Sequence, residues 1–454
     1  MPKTHYSEQI KLIPYIGKWL LVATVIALLS GTASAFLLLA LEWATATHTA
    51  NHWLMWLLPL AGFAVGWIYL RFGQQVERGN NLLIDEIHDP KKLIPFRMAP
   101  FVFFGNIVSI LFGASVGREG TAVQMGGALA DQLTHVFRFS PEDRKIILMT
   151  GISAGFASVF GTPLAGAIFG LEVLIIGRMR YDAIFPCMVA AVIADQVSLL
   201  WGVHHTHYAI QSTPAIGAWG LIAMMIAGIA FGLTGKAFAD ATHYVTTLFK
   251  SVIAYAPLRP FFGGILIIVA TWLVGTDRYI GLGIPTIVEA FDKPLAPYDF
   301  LGKMIFTLTS IGSGFKGGEV TPLFYVGATL GNALAPLLNM PFSLMAGVGF
   351  VAVFAGAANT PIASMVMAME LFGAEVGIYA AIACVVSYLF SGHTSIYQSQ
   401  RIGQAKNSGA PEGTTLSELN KNLKKIIPHT QKASSDKKGG LRGRYVELLK
   451  GSRD

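Results

Sequence analysis

Long apolar stretches, interrupted by glycine and proline, recur along most of this chain. They cover residues 19–41, 53–70, 99–116, 146–176, 183–201, 215–238, 261–274, 344–354 and 377–390. Because the stretches are continuously apolar rather than alternating, they predict helices and argue against a β-barrel. Several are shorter than the roughly 20 residues that a perpendicular membrane helix needs. The pattern therefore predicts an all-α, polytopic membrane protein with tilted and broken helices.

The composition agrees with a chain that lies mostly in lipid. Of its 454 residues, 53% are hydrophobic and only 13% are charged, whereas a soluble domain carries about 25% charged residues. The 49 glycines and 21 prolines fit interrupted helices. Cys187 and Cys384 both lie in apolar segments, which is typical of buried small hydrophobic residues rather than of a disulfide or a metal site.

The net charge of +7 comes largely from the ends of the chain. Lysines precede the first apolar stretch, and twelve Lys or Arg residues follow from position 401. The positive-inside rule then places both ends in the cytoplasm. We expect a cytoplasmic segment at 1–18, a membrane transport domain at 19–400 and a basic cytoplasmic tail at 401–454. Attraction of this tail to anionic lipid headgroups is a simpler explanation than nucleic-acid binding.

A glycine-rich motif that contains a glutamate occurs twice, 200 residues apart. Residues 117–121 have the sequence Gly-Arg-Glu-Gly-Thr, and residues 317–321 have Gly-Gly-Glu-Val-Thr. Carboxylates at membrane depth cost free energy, so their default interpretation is an ion path or a proton relay. Repeated glycine breaks in corresponding halves of a transporter point to its substrate site. Glu119 and Glu319 are therefore the first candidates for function.

A second matching pair extends the repeat. Residues 160–172 resemble residues 358–370, with Thr-Pro and a closing glutamate recurring at an offset of 198. Proline fits the first helical position, so each Thr-Pro predicts a helix start. We expect two pseudo-repeats, at about 19–205 and 215–400. An odd number of crossings in the first would invert the second, but the sequence leaves parallel and inverted repeats open.

The glycine breaks predict a binding site for a small anion. The first N–H groups of a helix lack partners, and the helix dipole places positive partial charge there. Glycines at 117–120, 312–318 and 79–82 would let such groups approach a ligand closely. A glutamate in the same cradle would occupy it when ionised and leave it when protonated. This competition provides a chemical basis for exchanging a proton against an anion.

At these motifs, and over about residues 15–400, the chain resembles the CLC family of chloride channels and anion/proton antiporters. Residues 117–121 resemble the family's G-R/K-E-G-P element, whose glutamate is the external gate and proton acceptor. Residues 317–322 resemble its G-G-x-F-x-P element, whose backbone amides bind the anion. Tyr397 is similar to the family tyrosine at the inner gate. Residues 79–81 fall where the family has G-S-G-I-P.

The resemblance implies an inverted-repeat CLC-type fold, a homodimer and a set of site residues. Glu119 would be the gating and proton-coupling residue. The residues implied along the anion path are Asn80, Gly117, Gly318, Glu319, Val320, Thr321 and Tyr397, with Arg118 and Lys316 as accessory groups.

Departures from the family pattern resemble its fluoride-selective branch, which includes bacterial fluoride/proton antiporters. Thr121 replaces the usual proline, and Asn80 stands where chloride-conducting members have the inner-gate serine. The internal proton-transfer glutamate of chloride/proton exchangers is missing around residues 172–174. The run Gly-Ser-Gly-Phe-Lys-Gly-Gly-Glu-Val-Thr-Pro at 312–322 is the strongest marker of that branch. Some of its members have methionine at the position of Asn80, which leaves the detail of that gate open.

A physical argument permits fluoride without proving it. Fluoride is smaller than chloride, holds its water more tightly and accepts stronger hydrogen bonds. A site that strips this water should offer extra donors, which the Asn80 amide and the hydroxyls of Thr321 and Tyr397 could supply. The expectation of fluoride over chloride rests on the resemblance.

We therefore expect a secondary active fluoride/proton antiporter of the bacterial inner (plasma) membrane that exports fluoride from the cytoplasm, without a cofactor, a metal or an enzymatic activity. One alternative is a chloride channel or chloride/proton exchanger of the same fold. Another is a membrane-embedded hydrolase using Ser115 or Ser313 with His393, although no nucleophile motif is present. Closely spaced histidines at 204, 205 and 207 suggest metal ligands, but they lie in a predicted loop.

Each site residue also has a simpler interpretation. Glu319 could cap its helix by bonding Thr321, and Asn80 could be an ordinary turn residue. Tyr397 could be an interfacial anchor, and Lys316 could face lipid headgroups.

Three further groups of polar residues are interpreted as structural. Arg118 is more simply a brace for its loop. We expect Glu172 and Glu370 to make polar contacts rather than to carry protons. We expect the polar patch at 85–89 to be a solvated loop.

Overall fold

The computed structural model describes residues 5–407 and 409–419. This part of the chain contains sixteen α-helices and two short strands. The helices of the first half are α1 His5–Ala50, α2 Leu58–Phe72, α3 Asn80–His88, α4 Met98–Leu111, α5 Glu119–Phe137, α6 Pro141–Phe160, α7 Pro163–Glu172 and α8 Ile184–Leu200. Those of the second half are α9 Ala218–Val252, α10 Leu258–Val274, α11 Ile284–Asp292, α12 Asp299–Ser313, α13 Val320–Leu338, α14 Phe342–Ala358, α15 Pro361–Phe372 and α16 Gly377–Phe390.

Shorter elements join these helices. The 3-10 helices are His52–Leu57, Gln74–Val76, Tyr181–Ala183 and Ala374–Val376. Strand β1, Ile175–Ile176, pairs in parallel with β2, Arg401–Ile402. Most of the predicted tail at 401–454 lies outside the described residues, so the tail boundary stays a prediction.

The membrane character follows from the helices themselves. Five helical segments in the described residues are long and apolar enough to cross a membrane: Leu12–Ala50, His52–Phe72, Tyr181–Leu200, Ala218–Val252 and Val320–Leu338. Further apolar helices of 10–17 residues lie between them. A lipid environment accommodates such short helices only where other helices cover their ends. The predicted all-α, polytopic architecture with broken helices is confirmed.

Two predicted boundaries differ from the structure. The first helix begins at His5 and continues through Pro14, well before the predicted apolar start at residue 19. The predicted stretch 146–176 is two helices, α6 and α7. Between them Gly161 adopts a left-handed conformation with φ of 70°, and Pro163 starts the next helix.

The two halves contact each other reciprocally, as two-fold related units do. Glu172 at the end of α7 accepts hydrogen bonds from the amides of Ile362 and Ala363 at 3.0 and 2.8 Å. In the other direction, Glu370 of α15 accepts two hydrogen bonds of 2.8 Å from amides at the start of α7. Each glutamate thus satisfies orphan N–H groups of the opposite half. This contact is the structural role predicted for both residues.

The polar patch predicted as a solvated loop lies instead on helix α3. Glu86 is buried and accepts a hydrogen bond of 3.0 Å from Arg144. Arg144 also bonds the buried carboxylate of Asp131 at 2.7 Å. The loop interpretation is wrong for Glu86, because a buried charge requires this paired environment. The network connects α3, α5 and α6 and so holds α3 in place.

The segment after α16 returns into the membrane domain. Strand β2 pairs with β1, and the buried side chain of Gln400 donates to the carbonyls of Val173 and Ala358 at 2.8 Å each. The backbone N–H of Ser399 donates a hydrogen bond to Oδ1 of Asn81, near the start of α3. These bonds fix the segment that carries Tyr397 against the first half of the chain.

Candidate functional site

The two glycine motifs meet in the middle of the molecule. The amide of Gly117 donates to the carbonyl of Gly318 at 2.6 Å, and the amide of Gly318 donates to that of Gly117 at 2.8 Å. This antiparallel bridge brings the start of α5 against the start of α13. Both amides were predicted to bind the anion, but they are occupied by each other. The two glycines therefore shape the site rather than donate to a ligand.

Glu119 lies at this junction and is almost fully buried. Its carboxylate accepts hydrogen bonds from the backbone amides of Thr321 and Arg118 at 3.0 and 3.1 Å. The Thr321 hydroxyl donates a further hydrogen bond to the same carboxylate. The guanidinium of Arg118 lies 3.7 Å away. The glutamate of the first half thus occupies the N-terminus of α13 in the second half, where unpaired amides and the helix dipole favour an anion.

A large cavity opens on one side of this junction. It has a volume of about 320 Å³ and is lined by residues at the starts of α3 and α13, including Asn80 and Glu319, and by Tyr397. We call it the inner cavity, because basic residues collect there. These basic residues are Arg78, Lys250, Arg259 and Lys316, against Glu77 and Glu319 as the acidic ones. Two of the three predicted glycine breaks, at 79–82 and 312–318, line this cavity, and the third, at 117–120, meets the second through the Gly117–Gly318 bridge.

A much smaller cavity of about 20 Å³ lies on the other side of the junction. Glu119, Arg118 and Thr321 line it, together with aromatic rings and the loop after α8. We call it the outer cavity. The start of α13 thus lies between the two cavities: Glu319 lines the inner one, and Thr321 lines the outer one and donates its amide and hydroxyl to the Glu119 carboxylate.

The helix start of α3 explains the position of Asn80. Gly79 precedes it with φ of 54° and ψ of −130°, a conformation that only glycine adopts readily. Asn80 is then the first residue of α3 rather than an ordinary turn residue, and its side-chain oxygen is buried without a hydrogen-bond partner among the described residues. Tyr397 is also buried, 4% exposed, so it is not an interfacial anchor. Both side chains are available to a ligand in the inner cavity.

Glu319 does not cap its own helix. It precedes α13 at the N-cap position without a side-chain hydrogen bond there, and Thr321 bonds Glu119 instead. Glu319 is partly buried and faces the inner cavity. Within the described residues its carboxylate forms no hydrogen bond or ion pair, so the cap interpretation is wrong. A free carboxylate next to an occupied one is an arrangement suited to ion or proton handling.

Lys316 and Arg118 occupy opposite sides of the junction. The Lys316 ammonium lies 4.1 Å from the centre of the Tyr69 ring and faces the inner cavity. It therefore faces the cavity rather than lipid headgroups. Arg118 lies beside Glu119 and lines the outer cavity.

Two polar residues of the site were not predicted. Asn106 of α4 is completely buried and donates to the carbonyl of Gly117 at 2.7 Å and to the Thr121 hydroxyl at 3.0 Å. Gln124 of α5 lines the inner cavity and lies close to Gly79. The signal for Asn106 was an amide inside an otherwise apolar stretch, which in a membrane usually means a buried polar contact.

The residues of the hydrolase alternative lie apart. The Ser115 hydroxyl pairs with Thr307 at 2.9 Å, and the Ser313 hydroxyl donates to the carbonyl of Ser310. His393 accepts a hydrogen bond from the amide of Lys406. Neither serine has the orienting base that acyl transfer needs. Within residues 5–407 and 409–419, no cluster of three metal-ligating side chains occurs.

Replacing Gly117 by alanine should abolish transport. A Cβ there would lie 2.9 Å from both the Glu119 carboxylate and the Thr321 hydroxyl, closer than folded proteins tolerate. Anion flux from reconstituted vesicles should fall by about a hundredfold, because the junction must distort. Gly17→Ala is the control, since its Cβ would meet no atom within 4 Å. Wild-type flux in Gly117→Ala would show that the junction does not control the path.

The fold and the site define a membrane protein of broken helices in which two glycine motifs meet at a buried glutamate. The family model "Voltage gated chloride channel" matches residues 61–392. The chain belongs to this family of channels and transporters, so the resemblance to the CLC family and the predicted fold class are confirmed.

Particular relatives narrow the comparison. A "Chloride/fluoride channel protein" of Pseudomonas syringae pv. tomato is 63% identical over 426 residues, covering 92% of this chain and 94% of the relative. The solved structure of a CLC-type fluoride/proton antiporter superposes with a TM-score of 0.83 at 32% identity, covering 85% of this chain and 98% of that one. A slow cyanobacterial Cl⁻/H⁺ antiporter matches with a TM-score of 0.72 at 20% identity, covering 82% and 94%. This last likeness concerns the fold alone.

Proposed function

We propose that this protein exchanges fluoride for protons and exports fluoride from the cytoplasm. The observation that carries the proposal is the position of the Glu119 carboxylate. It accepts two hydrogen bonds from Thr321 at the start of α13, and both residues line the outer cavity, while the neighbouring Glu319 lines the inner one. The names of the relatives support the choice of ions, since one is a chloride/fluoride channel protein and another a fluoride/proton antiporter.

The inner cavity concentrates anions near the site. Four basic side chains line it against two acidic ones, and a positive cavity with low-dielectric walls concentrates anions. The starts of α3 and α13 line this cavity, and the first N–H groups of a helix lack partners within the helix. Backbone donors of this kind can replace part of the water that an anion loses.

Protonation of Glu119 opens the route. The ionised carboxylate accepts the hydrogen bonds of Thr321, which an anion would otherwise accept. A neutral carboxyl group is a weaker acceptor, so protonation loosens these bonds and frees the N-terminus of α13. The anion enters as the protonated side chain leaves, and the two ions travel in opposite directions. Glu319 faces the inner cavity without a partner, and we propose that it tunes the anion site or receives the proton there.

Fluoride is favoured over chloride by the donor set. Asn80, Thr321 and Tyr397 place an amide and two hydroxyls near the path, in addition to backbone N–H groups. A small ion that accepts strong hydrogen bonds gains more from these donors than chloride does. Chloride transport through the same path is the second candidate, because the close relative is named for both ions.

Several features are proposed on the family's pattern. We infer that the protein is a homodimer in the bacterial inner membrane with both termini in the cytoplasm. The boundaries at 18/19 and 400/401, and the pseudo-repeats at 19–205 and 215–400, are part of this proposal. The membrane transport domain carries the ion path by itself, since every residue that lines the two cavities lies between positions 66 and 397.

Simultaneous recording of fluoride and pH around reconstituted vesicles tests the proposed function. Vesicles loaded with fluoride, with a potassium ionophore to balance charge, should release fluoride while the outside becomes more alkaline. A chloride gradient of the same size should drive at least about tenfold less proton movement than the fluoride gradient does. A site whose hydrogen-bond donors match one ion rejects a different ion by roughly this factor. Fluoride release without protons would identify a channel. Equal proton movement with chloride would identify a chloride exchanger.

A further inference from the structure

The outer cavity contains a histidine that the proposed cycle does not use. His205, in the loop between α8 and α9, lines this cavity together with Arg118 and Glu119. Its Nε2 lies 3.7 Å from Oδ1 of Asp195 on α8, and the two side chains are only 13% and 8% exposed. Among the described residues, neither of these two buried atoms has a hydrogen-bond partner. Two polar atoms thus face each other beside the gating glutamate, and neither has a hydrogen-bond partner among the described residues.

A proton between Nε2 of His205 and Oδ1 of Asp195 would give both atoms the hydrogen-bond partner that they lack. Burial lowers the pKa of His205 to about 4, and the charge of Arg118 lowers it further. The imidazole is therefore neutral at physiological pH, and its other nitrogen contacts the carbonyl of Val159. Nε2 is then a lone-pair acceptor that faces a carboxylate oxygen. Buried acceptors without donors are rare, so one shared proton, held directly or through a water molecule, satisfies both.

The fold makes room for this imidazole. A Cβ on Gly161, which ends α6, would lie 2.6 Å from Cδ2 of His205. Gly161 also has a φ of 70°, so any other residue would be strained there as well as crowded.

Charged and titratable groups of several elements face the pair. They are Arg118 and Glu119 at the start of α5, Glu370 of α15, which faces Asp195, and His204 and His207 of the same loop.

We propose that His205 and Asp195 form a proton relay between the outer solution and Glu119. This inference rests on the proposed fluoride/proton exchange. A proton from the outer solution binds between Nε2 and Oδ1, and the pair titrates as one unit. It then passes from Nε2 across the outer cavity to the Glu119 carboxylate, and the pair returns to its open state. No bond other than those to the proton is made or broken.

The relay is tested by removing the imidazole and supplying it again from solution. Fluoride release from vesicles at equal, neutral pH on both sides is followed with a fluoride electrode and a potassium ionophore. His205→Ala and His205→Gln should release fluoride about tenfold more slowly, because a positioned acid–base group accelerates proton transfer by at least this factor. Asp195→Asn should slow release similarly. His135→Gln is the control, because His135 is exposed in the last turn of α5 and is not among the groups that face the pair.

Chemical rescue separates proton transfer from packing. Added imidazole should restore at least half of the lost rate in His205→Ala, but it should not restore Asp195→Asn. Pyrazole, which has nearly the same shape and is a much weaker base, should restore neither. Equal rescue by both compounds, or release within twofold of wild type in His205→Ala and His205→Gln, would overturn the relay. Wild-type vesicles that release fluoride without moving protons would instead contradict the proposed function itself.

Discussion

Glu119→Gln should uncouple proton movement from fluoride movement completely. Glutamine has nearly the same shape as the glutamate but cannot carry a proton, and its neutral side chain is a weaker partner for the hydrogen bonds of Thr321. Fluoride should still pass, since the helix N-terminus is vacated more easily. Proton uptake per fluoride in reconstituted vesicles should fall by at least about a hundredfold, the usual contribution of a positioned proton carrier.

A second carboxylate provides the matched control for this experiment. Glu375 lies exposed in the short 3-10 helix before α16, so Glu375→Gln should keep wild-type coupling. Antiport that persists in Glu119→Gln would show that another group carries the proton. It would also leave the buried position of Glu119 as a structural feature only.

Replacing Glu319 and Thr321 together should lower the preference for fluoride over chloride. Glu319→Gln with Thr321→Val removes the free carboxylate of the inner cavity and the hydroxyl that bonds Glu119. A hydrogen bond to a charged partner contributes about 1.5–3 kcal/mol, which corresponds to roughly a 10- to 100-fold change in the ratio of fluoride to chloride flux. Chloride, the weaker acceptor, should lose less than fluoride.

Thr329→Val is the control for this double variant. Thr329 is a buried threonine of the same helix, and its hydroxyl bonds the carbonyl of Tyr325 within α13. Its replacement should leave the flux ratio within twofold of wild type. An unchanged ratio in the Glu319 and Thr321 variant would assign both residues to the architecture of the junction rather than to ion selection.

The sequence was most informative where a local rule dictates backbone geometry. Helix α3 begins directly after Gly79, and helices α7 and α15 begin at Pro163 and Pro361, for reasons that act within a few residues. The same local signals located the glycine breaks that converge on the inner cavity. Continuous apolarity similarly predicted helices in a membrane.

Contacts between the halves could not be predicted in the same way. The Gly117 and Gly318 amides satisfy each other, so two groups expected to bind an anion are not free to do so. Thr321 bonds the glutamate of the opposite half rather than its neighbour Glu319. Which partner a polar group finds depends on how the two halves pack against each other, and sequence spacing carries no information about this packing.

The central claim is that an anion and the Glu119 carboxylate compete for one site, and calorimetry tests it directly. Fluoride binding to the purified protein, measured in buffers of different ionisation enthalpy, reports how many protons are taken up with each ion. Wild type should take up protons as fluoride binds and should bind more tightly at lower pH, whereas Glu119→Gln should bind fluoride without proton uptake. Fluoride binding to wild type with no proton uptake and no pH dependence would contradict the account.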